Sequence, residues 1–120
     1  MIKTDRLPEF EKELKKLSKR YRTLEADLKI FISVQLQLFH KLKQDNGGIV
    51  NIAGLSIEEP KIYKARKFAC RALSGTGSNS GIRIIYAFFA QENSVQFIEI
   101  YYKGDKEMED RTRISTHYKA

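Results

Sequence analysis

The sequence predicts an α+β fold in which an N-terminal helical hairpin packs on one face of a small antiparallel β-sheet. Apolar residues recur at helical spacing in the first third of the chain, and three runs of β-branched and aromatic residues follow one another in the second half. Helices followed by consecutive strands are typical of α+β domains. The 120 residues are predicted to form one domain, from 1 to 120, large enough to bury a core without disulfides.

The first predicted helix covers about residues 8–20. Pro8 suits the first turn of a helix, and Glu9 and Glu11 beside it complement the positive end of the helix dipole. Its apolar face is formed by residues three or four positions apart, namely Phe10, Leu14, Leu17 and Tyr21. A short edge strand at Ile2–Thr4 is a further candidate element before this helix.

The second predicted helix covers about residues 23–45 and follows the first after a very short turn, so the two should pack as a hairpin. Thr23 is expected to cap it, and the two glycines after Asn46 are expected to end it, because glycine readily adopts the left-handed conformation. His40 has no other His, Cys or carboxylate at ligand spacing. It is interpreted as a partly exposed helix residue and not as a metal ligand.

Three strands are predicted at about residues 62–73, 81–90 and 94–103. The middle one contains the longest apolar and β-branched run of the chain, interrupted by one cation, Arg83. We expect this strand to lie between the other two, with the helices on one sheet face and the basic side chains on the free face or at its end. The charged tail, residues 105–120, is expected to be a short helix or a partly ordered end.

Charge and cysteine content restrict the class of function. The formal charge of +7 and the isoelectric point near 9.5 favour a polyanionic partner such as RNA, DNA or an acidic protein. Cys70 cannot pair within the chain, so it is interpreted as a small buried hydrophobe in a reducing compartment. The start of the chain has no apolar signal-peptide core, and no run approaches the length of a membrane span. A cytoplasmic protein is therefore expected.

Nearly the whole chain resembles a known family. The helical hairpin followed by KARKFACRAL, a small-residue turn, GIRIIYAF and FIEIYYKGDKE is similar to the RelE/ParE superfamily of bacterial toxins. The segment Arg83-Ile84-Ile85-Tyr86 after a basic strand is the most specific part of a resemblance that covers nearly the whole chain. Within this superfamily, the RelE and HigB-like branch cleaves mRNA on the ribosome.

The resemblance implies a RelE-like microbial RNase fold and the toxin of a type II toxin–antitoxin module. The expected activity is an endoribonuclease that needs no metal or other cofactor and uses the 2′-OH of the RNA as nucleophile. The expected partners are mRNA, the ribosome and a cognate antitoxin, which wraps the toxin and represses their shared operon. Contact with operator DNA is expected only through the antitoxin, and no membrane association is expected.

The resemblance also implies site residues. Arg83 matches the arginine that would hold the scissile phosphate, and a lysine on the preceding strand would be a candidate base. The implied catalytic set is Arg83, Lys67, Arg66, Tyr102 and Lys103. The implied RNA-binding set is Lys64, Arg71, Lys106 and Tyr101.

Strand alternation limits how these residues meet. Successive side chains of a strand face opposite sides, so Arg66 and Lys67 cannot both face one site unless a bulge or strand end intervenes. Tyr101 and Tyr102 present the same choice. His117 and Tyr118 are candidates only if the tail folds back. Two other interpretations stay open at this point: a ParE-like inhibitor of DNA gyrase without nuclease activity, and a non-catalytic nucleic-acid-binding module.

Overall fold

A computed structural model describes residues 2–45 and 47–118. Its elements are, in chain order, β1 Lys3–Arg6, α1 Pro8–Arg20, α2 Leu24–Phe31, a π-helix Ile32–Lys41, β2 Ile49–Asn51, β3 Lys61–Ala65, β4 Ile82–Phe89, β5 Ser94–Tyr102 and α3 Arg111–Tyr118. The strands form one sheet in the order β1-β5-β4-β3-β2. Within the described ranges, the helices are all too short or too polar to cross a membrane.

The fold is α+β, as the sequence predicts, and β4 is the central strand. β4 pairs antiparallel with both β3 and β5. The prediction of a purely antiparallel sheet is wrong, because β1 pairs parallel with β5. All seven residues of β4 other than Arg83 are apolar or aromatic, and most of them are buried. This composition explains why the strand occupies the middle of the sheet.

The N-terminal helices lie on one face of the sheet, but a helical hairpin is not clearly established, since β1 precedes them. Phe10 of α1 stacks on Phe97 of β5 with ring centroids 5.2 Å apart. Thr23 does not cap α2. Its hydroxyl donates to the Asp27 carboxylate at 2.6 Å and accepts from the Ala72 amide at 2.9 Å.

The second helix changes from α to π winding at Ile32 and ends at Lys41, four residues before the predicted bound. Lys43, and not a glycine, is the first residue after it with a positive φ, of 58°. Asn46, which was expected at the helix end, lies outside the described residues.

The first predicted strand of the sheet is shorter than expected. β3 ends at Ala65, whereas residues 66–73 leave the sheet. The amides of Arg66 and Lys67 both donate to the Gly48 carbonyl. The Phe68 ring packs against the tilted ring of Phe31 in α2, with centroids 5.5 Å apart. The burial of Phe68 between the sheet and α2 therefore overrides the alternation that the sequence suggested.

The second sheet face is not free, because the tail folds over it. A register shift lies between Ile85 and Tyr86, which pair with Glu99 and Phe97, so Ile98 is an extra residue in β5. The bulge lets Phe97 face α1 while Glu99 faces the opposite side. There the Glu99 carboxylate accepts from the Asp110 amide at 2.7 Å, which leads the chain into α3.

His40 is buried, so its interpretation as a partly exposed residue is wrong. Its Nε2 lies 2.7 Å from the Tyr86 hydroxyl, and its ring stacks on Phe88 with centroids 3.9 Å apart. Burial, assisted by the charge of Lys43, lowers the pKa of His40 to about 4. Cys70 is also buried, as expected, and burial raises the pKa of its thiol.

We expect Ile114→Ala to detach α3 from the sheet. Ile114 is the buried residue of this helix, with no exposed surface. Truncation should lower the free energy of unfolding by roughly 2–5 kcal/mol, as for other large-to-small core changes. Chemical denaturation measures this, with Thr112→Ala on the exposed side of α3 as the control. Equal stability of the two variants would contradict the packing of α3 described above.

We expect His40 to make stability depend on pH between about 4 and 6.5. The unfolded chain binds a proton below the ordinary pKa of 6.5, whereas the folded chain does so only near 4. Titration of His40 therefore leaves the free energy of unfolding unchanged above pH 6.5. Below that pH it lowers the free energy of unfolding, by up to about 3 kcal/mol. The check is the difference in unfolding free energy between wild type and His40→Gln across this window. A difference that does not vary with pH would refute the assignment.

Candidate functional site

Arg83 and two other cations lie at the end of the sheet where β3 ends and β4 begins. Arg83 pairs in register with Tyr101, and its guanidinium donates to the Arg66 carbonyl at 2.9 Å. The Lys103 amide donates to the Gly81 carbonyl at 2.8 Å, so the residue after β5 lies beside the start of β4. The structure thus places Arg66, Arg83 and Lys103 at one end of the sheet.

A second row of side chains lies one step further into the sheet, on the same face as Arg83. It consists of Lys64, Ile85 and Glu99, which are partners in the β3–β4–β5 register. Glu99 is fully buried and forms an ion pair with Lys106. This contact holds the Lys106 ammonium 5.5 Å from the centre of the Tyr101 ring. Lys106 therefore covers Tyr101 as a cation over an aromatic face.

Lys64 is held by a second buried carboxylate, Glu109. Its ammonium lies 3.0 Å from one Glu109 oxygen, and Arg111 lies 3.1 Å from the other. Burial opposes ionisation of Glu109, but hydrogen bonds from its own backbone amide and from Lys64 outweigh it, so the pKa of Glu109 is lowered. The Lys64 ammonium is thus already paired with the Glu109 carboxylate in the protein without ligand.

Arg71 and Lys67 lie away from this row, in a groove that we call the α2 groove. Arg71 is bound to the buried carboxylate of Asp27 at 2.8 Å. The groove has a volume of about 320 Å³, and its lining consists of Asp27, Ile30, Phe31, Val34, Gln35, Lys67, Ala69, Arg71 and Ser78. Because the chain leaves the sheet after Ala65, neither cation joins Arg83 in the sheet register.

Charge pairing separates six of the seven predicted site cations into two groups. Within residues 2–45 and 47–118, Lys64, Lys106 and Arg71 are paired with acidic side chains, whereas Arg66, Arg83 and Lys103 form no salt bridge. Arg66 and Lys103 are exposed and Arg83 is half-buried. At this end of the sheet, these three are therefore the predicted site cations that are not engaged by an acidic side chain.

The two tyrosines occupy different faces. Tyr101 faces the same side as Arg83, and its buried hydroxyl is the one described buried side-chain oxygen or nitrogen without a hydrogen-bond partner. Burial raises the pKa of Tyr101, although the nearby Lys64 charge opposes this. Tyr102 pairs with Ile82 and faces α1, where its ring packs against Tyr21 at 5.7 Å under the Arg20 guanidinium. Of the two, Tyr101 is the neighbour of Arg83.

Glycines make room for the Tyr102 ring. A Cβ atom at Gly81 would lie 2.9 Å from the Tyr102 ring, and one at Gly104 would lie 2.4 Å from it. The ring is thus held between two backbone segments, with one face toward Tyr21. Tyr102 therefore has a packing role at the end of β5.

The tail does fold back, but not onto Arg83. The Tyr118 hydroxyl donates to Gln96 at 2.5 Å, and His117 contacts Glu9 at 3.1 Å. Gln96 lies five residues before Tyr101 in β5, about 17 Å along the strand. His117 and Tyr118 are therefore remote from the Arg83 row.

Sequence reasoning missed the two acids that organise the site. Neither Glu99 nor Glu109 is among the site residues that the sequence analysis assigns. An acid within an otherwise apolar strand was the available signal, because a buried carboxylate requires a cationic or hydrogen-bonding partner. Nothing in the local sequence indicated that Lys106 would be that partner.

Comparison with known proteins supports the fold. No protein-family model matches the chain, and no curated protein sequence matches it. The chain is similar in structure to a chain of the archaeal RelE–RelB complex from Pyrococcus horikoshii OT3, with a TM-score of 0.52. The two are 13% identical in sequence, and the similarity covers 86% of this chain and 96% of that chain. The chain therefore has a RelE-like fold.

Proposed function

We propose that this protein is the toxin of a type II toxin–antitoxin pair and that it cleaves mRNA on the ribosome as an endoribonuclease. The observation that carries the proposal is the group of unpaired cations, Arg66, Arg83 and Lys103, beside a tyrosine at one end of a RelE-like sheet. Three cations without acidic partners form a site for the phosphates of a polyanion.

The chemistry follows from these residue types. Cleavage by the 2′-OH requires a phosphorane with an extra negative charge to be stabilised. The planar guanidinium of Arg83 can bind two phosphate oxygens at once, and Arg66 and Lys103 supply further positive charge. Tyr101 lies beside Arg83, and Lys64 and the Glu99-bound Lys106 lie one step further into the sheet. These groups can hold the RNA or move a proton after a change of partner. Lys67 and Tyr102 are assigned to the periphery of the site.

Expression in cells followed by primer extension on mRNA tests the proposal. Cuts within translated mRNA, absent when Arg83→Ala is expressed at the same level, are the expected result. DNA damage signalling without cuts would instead indicate a gyrase inhibitor. If neither cuts nor DNA damage signalling appeared, the remaining interpretation would be a non-catalytic nucleic-acid-binding module. The proposal would be refuted by DNA damage signalling without cuts and also by the absence of both effects.

We expect Arg83→Ala to lower the single-turnover rate of RNA cleavage by about a hundredfold, as for loss of one donor to a transition-state oxyanion. Arg83→Lys should restore little of it, because an ammonium cannot bind two phosphate oxygens in a planar fork. Affinity for RNA should fall much less, since the other cations remain. The measurement is single-turnover cleavage beside thermal unfolding of the same preparations. Cleavage near the wild-type rate by a folded Arg83→Ala protein would contradict the role.

The proposed antitoxin fits the α2 groove. Ile30 and Val34 are large aliphatic side chains, 51% and 44% exposed, on one side of the second helix. Lys67 and Arg71 line the same groove. An aliphatic floor with cations beside it suits an amphipathic segment that carries acidic residues, which is a common mode of helix binding in a groove. Lys67 follows Arg66 directly, so such a segment would extend to the proposed RNA site.

We expect Val34→Asp to weaken the complex with the product of the adjacent reading frame by at least tenfold. The change places a charge in an apolar contact and repels acidic residues of the partner. Leu42→Asp is the matched control, because Leu42 is 62% exposed and lies outside the groove. Co-purification followed by titration gives the two affinities. Equal affinities for the two variants would show that the antitoxin binds elsewhere.

A further inference from the structure

A second cleft lies far from Arg83, on the helix-covered side of the sheet. It has a volume of about 360 Å³, and its lining consists of Phe39, His40, Lys43, Asp45, Glu59, Lys61, Tyr63, Phe88 and Ala90. Phe88 follows Arg83 by five residues in β4, which separates the two sites by about 17 Å along the strand. The volume is within the range of small-molecule sites.

Aromatic rings fix the position of His40 in this cleft. Its Nε2 is held by the Tyr86 hydroxyl, and one ring face lies against Phe88. The rings of Phe39 and Tyr63 meet the imidazole edge to face, with centroids 4.8 and 5.0 Å from it. Among the described residues, Nδ1 has no hydrogen-bond partner, and it is not one of the fully buried unsatisfied atoms. Nδ1 therefore keeps some exposed surface, and His40 lines the cleft.

The π-helix places two consecutive residues in the cleft. Phe39 and His40, near the end of the segment Ile32–Lys41, both contact Tyr63. π-helical turns are rare and occur frequently at functional sites. This irregularity is an observation independent of the cleft itself, and it lies at the same residues.

We infer that this cleft binds a nucleobase. Phe39 and Tyr63 are half-buried and present aromatic surface on which a planar base can pack. The neutral imidazole of His40 offers one donor or acceptor, and side chains of both charges at the rim supply others for the edge of a base. Two lysines and two acids share the lining, so the cleft has no excess of positive charge to select a simple anion. An aliphatic ligand would leave Nδ1 without a partner.

The base can belong to an RNA strand or to a free nucleoside, and one experiment distinguishes these sources. The protein has only two histidines, so the ring resonances of His40 and His117 are readily followed by NMR. The probes are adenosine, guanosine, cytidine, uridine and a seven-nucleotide RNA with 2′-O-methyl groups throughout. These probes are not cleaved, so the result does not depend on nuclease activity. Binding at the cleft can therefore be shown or refuted whether or not the protein is a nuclease.

We expect a saturable shift of the His40 resonances, with His117 unchanged, and a roughly tenfold weaker affinity for Phe39→Leu, as for loss of one base–aromatic contact. Phe89→Leu, which removes an aromatic ring outside the cleft, should bind as wild type does. Tyr63→Leu provides the same comparison if Phe39→Leu does not fold. A shift with a nucleoside indicates that the cleft binds free nucleosides. A shift with the RNA but with no nucleoside indicates that it binds a base within an RNA strand. No shift with any probe, or equal affinity of Phe39→Leu and Phe89→Leu, would overturn the inference.

Discussion

The buried carboxylate of Glu99 is the constraint on which the second face of the sheet depends. A charge without exposed surface is very costly unless it is paired and hydrogen-bonded. Here the Lys106 ammonium and the Asp110 amide satisfy it. The carboxylate reaches both groups because the bulge at Ile98 turns Glu99 away from the helices. The segment after β5 is thus bound to the sheet at two points before α3 begins.

The same contacts decide which cations can bind a ligand. With the segment fixed by Glu99, Glu109 comes to lie beside Lys64, and the two form a buried ion pair. Asp27 holds Arg71 in the same manner on the helix side. The internal acids therefore engage three of the predicted site cations, whereas Arg66, Arg83 and Lys103 form no salt bridge with a described residue.

Much of the fold is predictable from local patterns, whereas the arrangement of the site depends on distant contacts. The apolar run of β4 and the helical spacing of α1 suffice to locate both elements and to indicate an α+β fold. The basic segment after Ala65 has the composition of a strand, yet the packing of Phe68 against α2 removes it from the sheet. His40 is likewise polar in isolation, and only the aromatic residues of β3 and β4 bury it.

The dependence of RNA affinity on salt tests most directly whether the internal acids select the available cations. Each phosphate contact made by a cation adds about 0.7 to the slope of log affinity against log salt for a single strand. With a 2′-O-methyl RNA that cannot be cleaved, Arg66→Ala and Arg83→Ala should each reduce the slope by about this amount. Arg71→Ala, which removes a cation already bound to Asp27, should leave the slope unchanged. An equal reduction by Arg71→Ala and Arg83→Ala would contradict the account.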